Sequence, residues 1–370
     1  MNAPFRFEMK TIVTFGEIMG RICPAGHKRF IQAMPGTHEL TFAGAEANVA
    51  ASLAILGAKA RFATVLPNHT LGDACIGTLR GIGVDTSEIL RSGNRLGLYF
   101  VEKGANQRPG NVIYDREFSA ISMAEPADFD WERIYKDAVW MHTTGITPAL
   151  SQKAYESTLA AVQAAKAAGL TVSCDLNFRN KLWRWEPDTD PKVLARRCME
   201  EILQSVDIVI ANEGDADDVL GIAAEGSDVE SGQLDTSRYP EVARRIVDRF
   251  PNVRQVAITL RESISASHNN WGAMLYDVAS GRDHFAPVSE GRYTPYQIRD
   301  IVDRIGGGDS FGAGLIFALN QPELEAPENA LRFAVAASCL AHSIEGDFNF
   351  STRSEVERLM AGKASGRVIR

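Results

Sequence analysis

Apolar positions along this chain change period repeatedly, and each change predicts an element. Thr11–Gly16 is a short β-rich run ending at glycine and predicts a buried first strand. Residues 21–42 mix Pro, Gly and alternating polar and apolar positions without a helical period, which predicts short exposed strands. From Gly44 to Gly57 the pattern turns helical: Ala45, Val49, Leu53 and Leu56 recur at three- and four-residue steps, and Gly57 ends the run. Arg61–Val65 predicts a strand and Asp73–Ile82 a helix with Asp73 as its cap. Leu96–Glu102 and Asn111–Phe118 flank a Gly/Asn/Pro turn and predict a hairpin.

Beyond Val139 the pattern becomes strand, helix, strand, helix. The strands are Val139–His142, Thr171–Asp175, Ile208–Ala211, Gln255–Thr259 and Gly272–Tyr276, with helices such as Gln152–Ala168 and Glu241–Arg249 between them. Such alternation predicts parallel strands joined by helical crossovers. Residues 224–238 are polar and acidic and predict a surface insertion. Helical stretches Leu315–Leu319 and Asn329–Ser343 close the core. The chain therefore predicts one α/β core with two β-rich excursions, 18–42 and 93–124, able to pair into a small lid that excludes water from a reaction.

Composition narrows the partners. With 370 residues and a net charge of −8, the chain has room for one large α/β domain or two smaller ones and no basic surface for nucleic acid or an anionic membrane. Five scattered cysteines without a CxxC pair predict reduced thiols in the cytoplasm, and the histidines lack metal-ligand spacing. No stretch approaches the apolar length of a membrane span.

Candidate chemistry concentrates in Asp303-Arg304-Ile305-Gly306-Gly307-Gly308-Asp309-Ser310-Phe311-Gly312-Ala313-Gly314. Three glycines at a helix start let backbone N–H groups point outward, and with the helix dipole they form an anion site. Asp309 beside that site can take the proton from a hydroxyl as its oxygen attacks a phosphoryl group. The simpler alternative is a Gly-rich turn with Asp309 as an ordinary N-terminal helix residue. Gly44 and Asn48 open the 44–57 helix, where small residues admit a ligand or merely pack the helix on the sheet. Asp175-Leu176-Asn177-Phe178-Arg179 follows a strand, where open α/β sheets bind ligands; it suits an anionic ligand, or an Asp–Arg pair pinning a loop. Asn212-Glu213-Gly214-Asp215 follows another strand and suits hydrated Mg²⁺, or an Asn212 helix cap. Tyr99, Tyr114 and Arg116 lie on the hairpin and either reach a substrate or decorate a sheet. No GxxxxGK[ST] occurs, and no strand is followed by GxGxxG.

Together AGAEANVAASLAILG (43–57) and DRIGGGDSFGAG (303–314) resemble the two signatures of the ribokinase-like (PfkB) carbohydrate kinases, over nearly the whole chain from Ile12 to about Phe350. GLYFVE (97–102), VIYDREFSA (112–120), GITPALS (145–151), DLNFRNKLW (175–183) and EGDFN (345–349) are most similar to the 2-keto-3-deoxygluconate kinase branch. The resemblance implies a three-layer α/β/α core with a mainly parallel sheet plus a small β-sheet lid. The core would comprise 11–17, 43–92 and 125–350, the lid 18–42 and 93–124, and 351–370 a C-terminal helix and tail.

It further implies ATP and Mg²⁺ as cofactors, a sugar-acid substrate and a homo-oligomer formed through the lid. Asp309 would be the base and Gly306, Gly307 and Gly308 the anion hole. Gly44, Asn48, Tyr99, Tyr114, Arg116 and Arg179 would bind the substrate, both arginines facing its carboxylate. Asn212, Thr259, Gly308, Gly346 and Asn349 would border the nucleotide, and Asp215 would reach the metal through water. Departures from the family pattern are Ala43 for a first glycine, Asp215 for a usual Glu, and Ile305 for a Thr that elsewhere borders a monovalent-cation site. The competing readings are a neutral-sugar kinase, a non-catalytic sugar or nucleotide sensor, and a nicotinamide-dependent dehydrogenase, the last disfavoured by the missing glycine fingerprint.

Overall fold

A computed structural model describes residues 10–212, 214–223 and 236–363. Glu213 and most of the 224–238 insertion lie outside the described residues, as does the end of the tail. The strands are β1 Thr11–Phe15, β2 Met19–Cys23, β3 Glu39–Ala43, β4 Lys59–Leu66, β5 Ile89–Arg91, β6 Leu98–Glu102, β7 Asn111–Asp115, β8 Ala138–Thr144, β9 Thr171–Asp175, β10 Ile208–Ala211, β11 Gln255–Ser265, β12 His268–Asp277, β13 Arg282–Ala286, β14 Val288–Ser289, β15 Arg292–Tyr293 and β16 Tyr296–Arg299. The large sheet runs β13-β12-β11-β10-β9-β8-β1-β4-β5, with β16 also on β12. From β5 to β11 every pairing is parallel.

The central strands are buried on both faces, so they read as continuous apolar runs. Val209 and Ala211 pack on one side with helices 152–167, 191–203 and 239–249. Ile208 and Ile210 pack on the other with helices 45–56, 70–82, 307–319 and 327–341. This is the three-layer arrangement implied by the sequence. Local signals end the helices where chemistry requires. Ser151 Oγ accepts from Ala154 N at the start of helix 152–167, and Gly57, at φ +101°, ends helix 45–56 in the left-handed region that glycine tolerates best.

Several expectations need correction. The Gly272–Tyr276 strand belongs to β12, which is antiparallel to β11. Only residues 266–267 separate the two, far too few for a helical crossover. Asp73 does not cap its helix: the helix starts at Thr70 with His69 at the cap, and Asp73 sits in the first turn paired with Arg91. Residues 21–42 are not all exposed strand, since β2 is largely buried and Phe30–Ala33 forms a short helix. Helix 191–203, capped by Asp190 and opened by Pro191, supplies the helical crossover expected between Asp175 and Ile208, whereas the strands between 282 and 299 were not expected.

The two β-rich excursions meet. β2 pairs with β6 in parallel, and β3 and β7 flank them antiparallel, giving a four-stranded sheet in the order β3-β2-β6-β7. Its small apolar cluster of Met19, Cys23, Ala43, Tyr99 and Val101 packs against Ile305, in the loop that precedes the glycine run. That contact sets the sheet over the carboxyl ends of the parallel strands. Among the described residues no helix is long and apolar enough to cross a membrane.

Candidate active site

A cavity of about 390 Å³ lies between the two sheets. It opens where strands β1, β8, β9 and β10 end, the place where open α/β sheets bind ligands. Gly44, Asn48, Tyr99, Tyr114, Arg116, Arg179, Asn212, Asp215, Thr259, Gly306, Gly307, Gly308 and Asp309 all line it. Gly346 and Asn349 do not. Asn349 instead bonds Ala337 O and Ser351 N, which fixes its own loop.

Helix 307–319 begins at the cavity. Gly306 is its N-cap at φ +82°, a left-handed conformation that a side chain would strain. Asp309 sits in the first turn, and its Oδ2 accepts from Asn48 Nδ2 at 2.6 Å. Asn48 Oδ1 in turn accepts from Gly44 N at 3.2 Å, so the starts of helices 45–56 and 307–319 hold one another. Burial, reinforced by the nearby Asp347, pushes the Asp309 carboxyl up to about 6, while Asn48 and Arg179 oppose the rise. Glu46, two residues before Asn48 on helix 45–56, is fully buried and pushed up by that burial to about 7, although Thr144 and Thr147 hydroxyls donate to its Oε1.

The arginines divide. Arg116 lines the cavity, but its Nε donates to Glu17 Oε2 at 2.8 Å and its Nη2 contacts the same oxygen. Glu17 is 1% exposed, and Ser119 holds its other oxygen. Both arginines expected to face the substrate carboxylate line the cavity, but Arg116 already has its Nε and Nη2 on Glu17. Arg179 donates to its neighbour's carbonyl, Phe178 O, at 2.8 Å and makes no salt bridge among the described residues, so the loop-pinning ion pair does not form.

Asn212 lies on the cavity but is not the cap of helix 215–220, a place taken by Gly214; its Oδ1 accepts from Gly214 N and Asp215 N and closes the turn into that helix. Both Asp215 oxygens are taken by backbone donors, Phe178 N and Asn212 N. Burial raises the Asp215 and Asp175 carboxyls above the usual range. No group of three His, Cys, Asp or Glu side chains converges as a metal site among the described residues.

Sequence reasoning passed over Glu17, Arg261, Trp271, Arg304 and Asp347, all of which line the cavity. Arg304 and Asp347 lay inside quoted motifs, and Glu17 directly follows the first strand. Arg304 is held by neutral oxygens, Asn269 Oδ1 at 2.6 Å and Ser263 Oγ at 3.1 Å. Burial and the charge of Arg261 lower its pKa, the mark of two cations facing a space that suits an anion.

A buried carboxylate at a helix N-terminus, with arginines on the same cavity wall and a three-layer α/β frame behind it, suits chemistry on an anionic group, and comparison with known proteins gives the class. Residues 9–241 match the model of the pfkB family carbohydrate kinases, and the chain belongs to that family. It is 33% identical to 2-dehydro-3-deoxygalactonokinase of Haloferax volcanii, over 96% of this chain and 98% of that one. It is 34% identical to 2-dehydro-3-deoxygluconokinase of Bacillus subtilis over 46% of this chain and 52% of that one. The crystal structure of 2-dehydro-3-deoxygluconokinase from Thermotoga maritima superposes with a TM-score of 0.85 at 44% identity, over 95% of this chain and all of that one. The protein is a sugar kinase.

Proposed function

We propose that this kinase transfers the γ-phosphoryl group of ATP to the 6-hydroxyl of a 2-keto-3-deoxy sugar acid, 2-keto-3-deoxygluconate or its galactonate epimer. The observation that carries the reading is Asp309: a carboxylate pushed up to about 6, at the first turn of a glycine-capped helix, in one cavity with Arg179, which makes no salt bridge among the described residues. A base of that pKa is ionised at neutral pH yet still takes a proton readily. The attacking hydroxyl gives its proton to Asp309 as its oxygen bonds to phosphorus, and the bond to the β-phosphate oxygen breaks to release ADP. Backbone N–H groups of Gly306–Gly308 then face the charge that develops on the phosphoryl oxygens.

Donor and acceptor take opposite ends of the cavity in this reading. Arg261, Arg304, Thr259 and Asn212 serve the phosphates, and Trp271 borders them. Mg²⁺ would arrive with the nucleotide and keep several waters, with Asp215 at one remove. Tyr99, Tyr114, Gly44 and Asn48 serve the sugar, and Arg179 meets its carboxylate. Arg116 retains Nη1 for the same anion. The four-stranded sheet acts as the lid. Leu40 and Ile113, exposed on its outer strands β3 and β7, support a homo-oligomer formed through that sheet. Five free thiols support work in a reducing cytoplasm.

A neutral-sugar kinase is the second reading, and the Glu17–Arg116 pair favours it, since it removes one of two cations from the acceptor end. ADP release across 2-keto-3-deoxygluconate, its galactonate epimer, fructose and ribose, each with ATP and Mg²⁺, separates the two. Turnover confined to the keto-deoxy acids supports the first reading. Turnover with fructose or ribose alone overturns it.

A further inference from the structure

Gly306 is braced from two sides. On one side Asp303 shapes the approach to it: Oδ1 accepts from Arg304 N at 2.8 Å and from Ile305 N at 3.2 Å. On the other side the 346–349 loop presses on it so closely that a Cβ added at Gly306 would lie 2.3 Å from Asp347 O. These two segments come from distant parts of the chain, and each carries a buried carboxylate.

One guanidinium joins them. Arg21, on β2 of the four-stranded sheet and 2% exposed, donates from Nη2 to Asp303 Oδ2 and from Nη1 to Asp347 Oδ1 at 2.6 Å. The second oxygen of Asp347 accepts from Tyr99 OH at 2.7 Å, on β6 of the same sheet. Asp303 Oδ2 also accepts from Gly346 N, which closes the ring. The small sheet therefore cannot lift from the core without parting Arg21 from both braces and Tyr99 from one.

We propose that Arg21 and Asp347 are positioning residues for phosphoryl transfer. The guanidinium staples together the two segments that brace Gly306 and so ties the seating of the small sheet to the shape of the anion site. This rests on the reading of Asp309 as base and Gly306–Gly308 as anion hole. Small displacements of such donors weaken binding of the transition state more than of the ground state. Asp347 has a second effect. The groups that face Asp309 are Asn48, Arg179, Asp175, Glu46 and Asp347; Asp347 lines the same cavity, and after burial its charge adds to the rise in the Asp309 pKa. Loss of that charge makes Asp309 a weaker base.

The test compares Arg21→Lys, Asp347→Asn and Asp347→Glu with wild type, using ATP and 2-keto-3-deoxygluconate, with ADP and ADP–aluminium fluoride binding followed by calorimetry. Arg21→Lys keeps the charge but cannot span two carboxylates. It should fold, lower kcat by roughly 10- to 100-fold, and weaken the aluminium fluoride complex while leaving ADP affinity unchanged. Asp347→Asn should do the same and also move the acid limb of the kcat/KM profile to lower pH, with Asp347→Glu restoring the limb. Wild-type kcat in Arg21→Lys overturns the proposal, and so do equal losses of ADP and ADP–aluminium fluoride affinity or an unmoved acid limb in Asp347→Asn. Asp309→Asn, run alongside, isolates the base reading: if that variant turns over normally, the base is misassigned, whatever Arg21 does.

Discussion

Asn48 and Asp309, 261 positions apart in the chain, share a 2.6 Å hydrogen bond that joins the first turns of two helices at the floor of the cavity. An amide donor favours the charged carboxylate, whereas burial and Asp347 disfavour it, and the balance leaves Asp309 near 6. Asn48→Ala removes the favourable partner. The acid limb of kcat/KM should move to higher pH in that variant, and kcat at pH 7 should fall. An unmoved limb would show that Asn48 does not tune the base.

Asp309→Asn should lower kcat by about 10²- to 10⁴-fold and leave ATP binding nearly intact. Stability gives an independent sign. The folded pKa of Asp309 lies above its unfolded value, so its contribution is full below the unfolded pKa and is lost as pH rises through about 6. The variant escapes that loss. Its melting temperature should match wild type near pH 4 and exceed it at pH 7.5, and thermal scans at both pH values check this.

The two arginines at the acceptor end should fail in different ways. Arg179→Met removes a cation that has no salt-bridge partner among the described residues. KM for the sugar acid should rise roughly 10- to 100-fold with stability unchanged. Arg116→Met leaves Glu17 buried and unpaired, which should cost about 3–5 kcal/mol of stability. Denaturant titration and steady-state kinetics on both variants separate these outcomes.

Glycines of the anion site differ in the same manner. A side chain at Gly306 meets Asp347 O and an unfavourable φ, so Gly306→Ala should lower both stability and turnover. Gly308 is exposed to the cavity and an added Cβ meets nothing there. Gly308→Ala should melt like wild type and lose turnover by intruding on the phosphoryl group. Parallel loss of stability in both variants would remove the anion-hole argument for Gly308.

Much of the fold was legible because its signals are local. Short β-rich runs marked β8, β9 and β10, the three- and four-residue spacing marked helix 45–56, and Gly57 marked its end. Strand–helix alternation placed a helix between Asp175 and Ile208, and its bounds follow from the Asp190 cap and Pro191 start, both sequence signals. The antiparallel turn into β12 was not legible, because the apolar cores of the two strands, 255–259 and 272–276, lie twelve residues apart and only their polar extensions bring the turn down to two.

By itself the sequence determined the alternation of strands and helices and the glycine run that opens a helix beside Asp309. Those follow from backbone preference and hydrophobic period, which neighbours along the chain set. Only the tertiary structure decided that Glu17 takes up Arg116 from 99 positions away, and that Arg21 bridges Asp303 and Asp347 across 282 and 326. The basicity of Asp309 belongs with these, since burial and a distant carboxylate produce it. Charge pairing and desolvation depend on distance in space, and the fold alone brings those groups together.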